Sequence, residues 1–325
     1  ARAPSWWVGG AMSGVLLATA GYDHTIRLWE APSGVCYKSM QHPDSQVNKL
    51  EITPDKQYIA AAGNPSLRIF EINSSTPNAL SSYDGHTNNI TAVGFQKDGK
   101  WMFTGSEDGT IKIWDMRAPG CQREYESGSP LNTVMLHPNQ GELISGDRDG
   151  NIRVWDLTQN ACSAELVPDG AKAIRSVCIS RDASLLAAAN DAGSCFVWRL
   201  GRNDDASAKV EPLQKLQAHS TYVLKCLMSP DGKRLATCSA DQSVKIWDIQ
   251  NNFACDKTLT GHQRWVWDAV YSEDSAYLVT ASSDQTARLW DVASGETIRH
   301  YTGHHKAVIA VALHDRTTGP GGGAA

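Results

Sequence analysis

ThrAlaArgLeuTrpAsp, at Thr286 to Asp291, decides the fold: an apolar residue, an aromatic and an acid close a strand-like run there, and the same ending recurs along the chain. LeuTrpGlu begins at Leu28, IleTrpAsp at Ile113, ValTrpAsp at Val154, IleTrpAsp at Ile246 and LeuTrpAsp at Leu289, with IlePheGlu at Ile69 and ValTrpArg at Val197 as divergent copies. The seven aromatics, Trp29, Phe70, Trp114, Trp155, Trp198, Trp247 and Trp290, are spaced 41, 44, 41, 43, 49 and 43 residues apart.

Working outward from Thr286, an alternating run from Trp265 to Ser272 comes first, then AspSer, TyrLeuValThrAlaSer from Tyr277, and SerAspGln. Thr297 to Tyr301 follows an AlaSerGly turn. Short runs rich in β-branched and aromatic residues between Asp, Ser and Gly breaks are strands, so each unit reads as four strands and the chain as all-β. A period of this length is that of WD-repeat blades, and seven copies predict a seven-bladed β-propeller.

The ends predict how the ring closes. The chain enters the repeat with LeuLeuAlaThrAlaGlyTyrAsp, lacking an innermost strand, and ends with GlyHisHisLysAlaValIleAlaValAla, an innermost strand with nothing after it. Val308 to Leu313 is therefore expected to complete blade one, whose other strands come from residues 15 to 40, so that N- and C-terminal strands pair and hide their edges. We expect one propeller over residues 13–315, a non-repeat extension or tag over 1–12 ahead of a native start at Met12, and a flexible tail over 316–325.

A net charge of −5 and a pI near 6.1 supply no basic footprint for nucleic acid, and no run of about 18 apolar residues predicts a membrane helix. The eight cysteines lack metal-ligand spacing and read as buried, reduced thiols of a cytoplasmic protein. No cofactor or metal is expected.

The strongest polar pattern sets His, Ser, Asp and Trp at constant offsets: His86, Ser106, Asp108, Trp114; His219, Ser239, Asp241, Trp247; His262, Ser282, Asp284, Trp290. These residue types also build hydrolase triads, but a catalytic triad is needed once, whereas a structural network recurs in every blade. In that network the Asp accepts from the imidazole, the Ser bonds the other ring nitrogen, and the indole N–H finds the hydroxyl. Blade one assembles its set from both ends, His304 with Asp23 and Trp29, with Gly21 in the serine position. Blade two has His42, Asn64 and Phe70; blade four has Asp149 and Trp155 without a matching His; blade five has Trp198 with Ala192 at the turn. No phosphate loop, HisGluXXHis or nucleophile elbow is present, so no enzyme is expected.

Aligning the inner strands on Val47, Ile90, Leu131, Ile174, Val223, Val266 and Val308 puts two rings of side chains at the channel rim. The preceding ring is Gln46, Asn89, Pro130, Ala173, Tyr222, Trp265 and Ala307; the following ring is Asn48, Thr91, Asn132, Arg175, Leu224, Trp267 and Ile309. Trp265 and Trp267 stand out as a partner contact, because Trp, Tyr and Arg carry most interface energy. Tyr22, Tyr222, Asn89, Asn132 and Arg175 complete the candidate surface.

The segments LeuAlaThrAlaGlyTyrAspHisThrIleArgLeuTrp from Leu17, AspSerGlnValAsnLysLeuGluIleThrProAsp from Asp44, HisProAsnGln with GluLeuIleSerGlyAsp from His137, ArgTrpValTrpAsp from Arg264, and ThrAlaSerSerAspGlnThrAlaArgLeuTrp from Thr280 resemble the WD-repeat subunits of the target-of-rapamycin kinase complexes, from about Val15 to Asp315. The charged, polar loop Gly201 to Val210 lies where those subunits vary.

The resemblance implies a non-catalytic scaffold that binds an insertion in the large lobe of the kinase domain, steadies the catalytic cleft, and joins other subunits of the complexes. It implies recruitment to endomembranes through the kinase complex and matches the paired tryptophans to Trp265 and Trp267. Tyr22 and the other rim residues are a geometric extension. The alternative is a substrate receptor of a cullin-type ubiquitin ligase, resting on TrpAspMetArg at Trp114 to Arg117. A heterotrimeric G-protein beta subunit is disfavoured, because strand structure is expected from Val15 with no N-terminal coiled-coil helix before it.

Overall fold

The computed structural model describes residues 15–202 and 208–315. Among these residues the chain forms seven four-stranded antiparallel sheets, each a blade of one propeller. The inner strands are Val308–His314, Lys49–Ile52, Ile90–Phe95, Leu131–Leu136, Ile174–Ile179, Val223–Met228 and Val266–Tyr271 for blades one to seven. The expected extension and tail, and the middle of the charged loop after Gly201, lie outside the described residues.

Closure occurs by the pairing of the ends. Strand Leu16–Gly21 runs antiparallel to Val308–His314, with Leu17 opposite Leu313 and Thr19 opposite Val311. Thr25–Glu30 and Val35–Gln41 complete blade one. At the end of this ladder Gly21 touches the closing strand so closely that a Cβ would lie 1.9 Å from the Ala307 carbonyl oxygen. Any side chain there would push the terminal strands apart.

The repeat aromatics explain why blades adhere. Seven apolar clusters fill the seven junctions, each holding one repeat aromatic: Trp29 lies between blades seven and one, Phe70 between one and two, and Trp114 between two and three. Trp155, Trp198, Trp247 and Trp290 fill the remaining four junctions in order. Each large ring removes ~150–250 Å² from water, which amounts to several kcal/mol per junction. A lone blade is amphipathic and has no such partner, so stability resides in the neighbour contacts.

The cysteines divide into two groups. Cys178, Cys195, Cys226 and Cys238 are buried, but Cys121, Cys162 and Cys255 are exposed and Cys36 is half-buried, correcting the expectation of buried thiols. Cys36, Cys121, Cys162 and Cys255 all lie on outer strands opposite the repeat tryptophans Trp29, Trp114, Trp155 and Trp247, where the ladder shifts register. All eight are free thiols.

Candidate functional site

The channel mouth is shaped by a repeated backbone irregularity. The ladder shifts register at Thr91, Asn132, Arg175, Leu224 and Trp267, each the residue after the buried apolar anchor, and at the closing strand around Ile309. A bulge leaves one residue without a ladder partner and re-aims its side chain. The whole following ring lines a channel cavity of about 650 Å³. From the preceding ring only Gln46 and Asn89 line it; Trp265 and Tyr222 stand outside, on the mouth.

Those mouth residues form a continuous aromatic arc. The rings of Trp265 and Trp267 lie 5.5 Å apart, and Tyr222 meets Trp265 edge-on at 6.1 Å. The Arg175 guanidinium lies 5.8 Å from the Tyr222 ring. Trp267 is pinned by its indole N–H, which donates to Ser283 Oγ at 2.6 Å, and is half-buried. Trp265, Tyr222 and Tyr22 are 41%, 40% and 39% exposed, which is unusual for large rings and leaves part of each open to a partner. Burial of the Tyr22 phenol, with the Glu107 charge adding to it, raises its pKa.

The opposite side of the mouth is polar and internally bonded. Asn89 donates to Glu107 at 2.8 Å, and its carbonyl oxygen accepts from Gln46 and Asn48 at 3.4 Å. Arg148 also holds Glu107. Asn132 donates to the Ile174 carbonyl at 2.8 Å, so its amide fastens blade four to blade five. Of the candidate contacts, Asn89 and Asn132 are thus engaged within the propeller, as Trp267 is through Ser283, whereas among the described residues no side-chain hydrogen bond holds Trp265 or Tyr222.

Below the mouth lies a charged layer that the sequence reading missed. Asp268 accepts from Lys49 Nζ at 2.6 Å and from the Val311 backbone N–H at 3.2 Å, and lies 3.6 Å from Lys225 Nζ. Burial alone would raise the Asp268 carboxyl, but the two lysines more than offset this and hold it below its ordinary value. Glu51, in the same layer, is pushed up to about 7 because burial outweighs the attraction of Lys49 and Lys225. The available signal was a charge inside an otherwise apolar inner strand.

The His networks exist with one correction. His86 Nδ1 bonds Asp108 at 2.8 Å, but its Nε2 meets Thr104 Oγ1 at 2.7 Å, and Trp114 donates to that same hydroxyl at 2.9 Å. His219 and Trp247 meet on Thr237, and His262 and Trp290 on Thr280. The histidines of these two blades bond Asp241 and Asp284. The hydroxyl is thus a threonine and not Ser106, Ser239 or Ser282. Those serines lie at the strand end, where they accept from the turn backbone N–H of Asp108, Asp241 and Asp284. In blade one Thr19 serves His304 and Trp29, while Asp23 takes the other ring nitrogen; no serine is needed at Gly21. A hydroxyl ten residues before the tryptophan was the legible signal.

The divergent blades use substitutes. Blade four replaces the imidazole with Arg153, which bonds buried Asp147 at 2.6 Å, while Asp149 is exposed; Trp155 finds Ser145. Blade five caps its turn with Asn190, which accepts from the Ala192 and Ser194 N–H groups. In blade two His42 is fully buried, and neither ring nitrogen has a hydrogen-bond partner. Arg117, on which the ubiquitin-ligase reading rests, folds back onto Asp115 of its own strand exit, with contacts of 3.1 and 3.0 Å.

The blades, their recurrent networks and the closed ring define a WD-repeat β-propeller, and the family described as "WD domain, G-beta repeat" matches residues 10–30, 77–115, 120–156, 210–248 and 253–291. The chain is similar to "Target of rapamycin complex subunit LST8-1" of Arabidopsis thaliana, 62% identical over 76% of this chain and 81% of that protein. It is 54% identical to "Target of rapamycin complex subunit LST8" of Saccharomyces cerevisiae, over 93% and 99% of the two chains. The Mus musculus protein of that name is 49% identical, over 94% and 96%. The chain belongs to the LST8 family of WD-repeat proteins.

Proposed function

We propose that this chain is a non-catalytic scaffold subunit of a target of rapamycin complex, and that it binds the kinase domain through the channel mouth bearing Trp265 and Trp267. The observation that carries this reading is the open aromatic arc, set on a mouth whose backbone is fixed by strand ladders, in a chain whose relatives are named as subunits of that complex. A preformed surface has little ordering to undergo on binding. By binding an insertion in the kinase's large lobe, the propeller favours the conformation it binds, which steadies the catalytic region without chemistry of its own. The His, Asp and Thr groups that resemble a catalytic set are committed to one another in four blades. The scaffold acts in the cytoplasm and reaches endomembranes through the assembled complex.

Co-elution of the purified chain with a target of rapamycin kinase domain tests this, beside Trp265→Ala and Trp267→Ala with melting checked for each. Wild type should co-elute, and loss of either ring should weaken binding by ~2 kcal/mol, roughly thirtyfold in Kd, at unchanged melting. A wild-type chain that elutes alone would sink the kinase reading.

A further inference from the structure

Immediately before the preceding ring, each blade contributes one turn residue to a collar around the mouth. Three of these positions carry bases, Lys172, Arg264 and Lys306, and none carries an acid. All three are exposed, and among the described residues none makes an ion pair or a side-chain hydrogen bond. Arg264 directly precedes Trp265. Lys306 precedes Ala307, whose carbonyl accepts from the Tyr22 N–H at 3.0 Å, so one base stands beside Trp265 and the other beside the Tyr22 turn. On the far side Arg175 lies over Tyr222, and its buried Nε has no hydrogen-bond partner.

Most acids of this sector are engaged elsewhere; the exception is Asp191, a turn residue of blade five whose backbone N–H donates to the Ala173 carbonyl at 3.1 Å. Asp23, Asp241 and Asp284 are turned into the His networks, and Glu107 across the mouth is held by Arg148 and Asn89. A chain with net charge −5 therefore presents uncompensated cations around three of its exposed aromatic rings. Cations beside an open apolar face complement an apolar anchor flanked by carboxylates, the pairing that steers encounter and fixes register at interfaces.

We propose that the aromatic sector of the mouth receives a protein segment of that chemistry, an apolar anchor flanked by acidic side chains, with the anchor against Trp265 and Trp267 and the carboxylates on Arg264, Lys306 and Arg175. This rests on the docking reading above and specifies the partner segment. The collar bases set the association rate, whereas the tryptophans set the lifetime of the complex.

The test measures association with a target of rapamycin kinase domain at low and high salt for wild type, for the double variant Arg264→Glu/Lys306→Glu, and for the control Lys97→Glu/Lys233→Glu. Lys97 and Lys233 are exposed turn residues at the opposite end of blades three and six and carry the same charge change. The mouth pair should associate roughly tenfold more slowly at low salt, with a flatter salt dependence, while the control stays near wild type. Equal rates for the two double variants, with wild type binding normally, would overturn the acidic-segment inference and leave the docking reading standing. Absence of wild-type binding would overturn both. Self-association of wild type that the mouth pair abolishes would assign the sector to a second copy of the chain instead.

Discussion

Asp268 and Lys49 meet at 2.6 Å although they are 219 positions apart in the chain, one on the inner strand of blade seven and the other on that of blade two. The pair reaches past blade one, whose inner strand is the closing strand, and the same carboxylate takes the Val311 N–H from it. Asp268 also follows Trp267 directly, so the residue that braces the closure also anchors the bulge carrying a mouth aromatic.

Asp268→Asn should therefore destabilise the fold. It leaves Lys49 and Lys225 without their shared counter-charge in a largely desolvated layer, a loss of ~3 kcal/mol, the lower end for breaking a buried pair because the ammonium groups border the channel. Chemical denaturation of the variant checks this, and a midpoint equal to wild type would remove Asp268 from the closure.

The two hydroxyl positions in blade seven can be separated by substitution. Thr280→Val strands both the His262 ring nitrogen and the Trp290 indole N–H, so it should cost roughly 1–3 kcal/mol, as should Asp284→Ala. Ser282→Ala loses a turn cap and should cost about 1 kcal/mol or less. Melting midpoints that rank the serine above the threonine would put the network back on Ser282.

His42 should make stability fall on mild acidification. Burial first, and then the Arg68 charge, lower its pKa from 6.5 to about 4, with Asp44 opposing and His24 adding slightly. Between those values the unfolded chain binds a proton that the folded chain does not, so stability drops as pH falls through that window. The slope is about 1.4 kcal/mol per pH unit for one such group. His86 and His219, lowered chiefly by burial, act in the same direction. His42→Leu should flatten the loss between pH 6.5 and 4, which denaturation at several pH values reads directly.

A chain ending at Thr302 should not fold. It lacks the inner strand Val308–His314, leaving Leu16–Gly21 an open edge and the blade one and seven cores uncovered. A soluble product with a single cooperative melt would refute closure as a requirement.

Much of this molecule was legible from residue order because a repeat states the same local solution seven times. The aromatic–acid endings marked the third strand of each blade, and the complementary half-repeats located the closing strand to within a residue. The rim rings were legible by alignment, since bulges recur at the same place in most inner strands. The network hydroxyl was misread because serine and threonine lie two apart on one strand and share a face. Only their depth along the blade separates them: the threonine reaches the junction between blades, and the serine ends at the turn.

By itself the sequence determined the blade count, the strand order, the terminal closure and the Trp265–Trp267 pair, because each depends on local pattern or on its repetition. The tertiary structure alone decided that Asp268 gathers Lys49, Lys225 and Val311, that Arg153 stands in for the missing histidine of blade four, and that the mouth divides into an aromatic side and an amide side. These depend on ring closure, which brings residues more than 200 positions apart within hydrogen-bonding distance, a relation that no periodicity encodes.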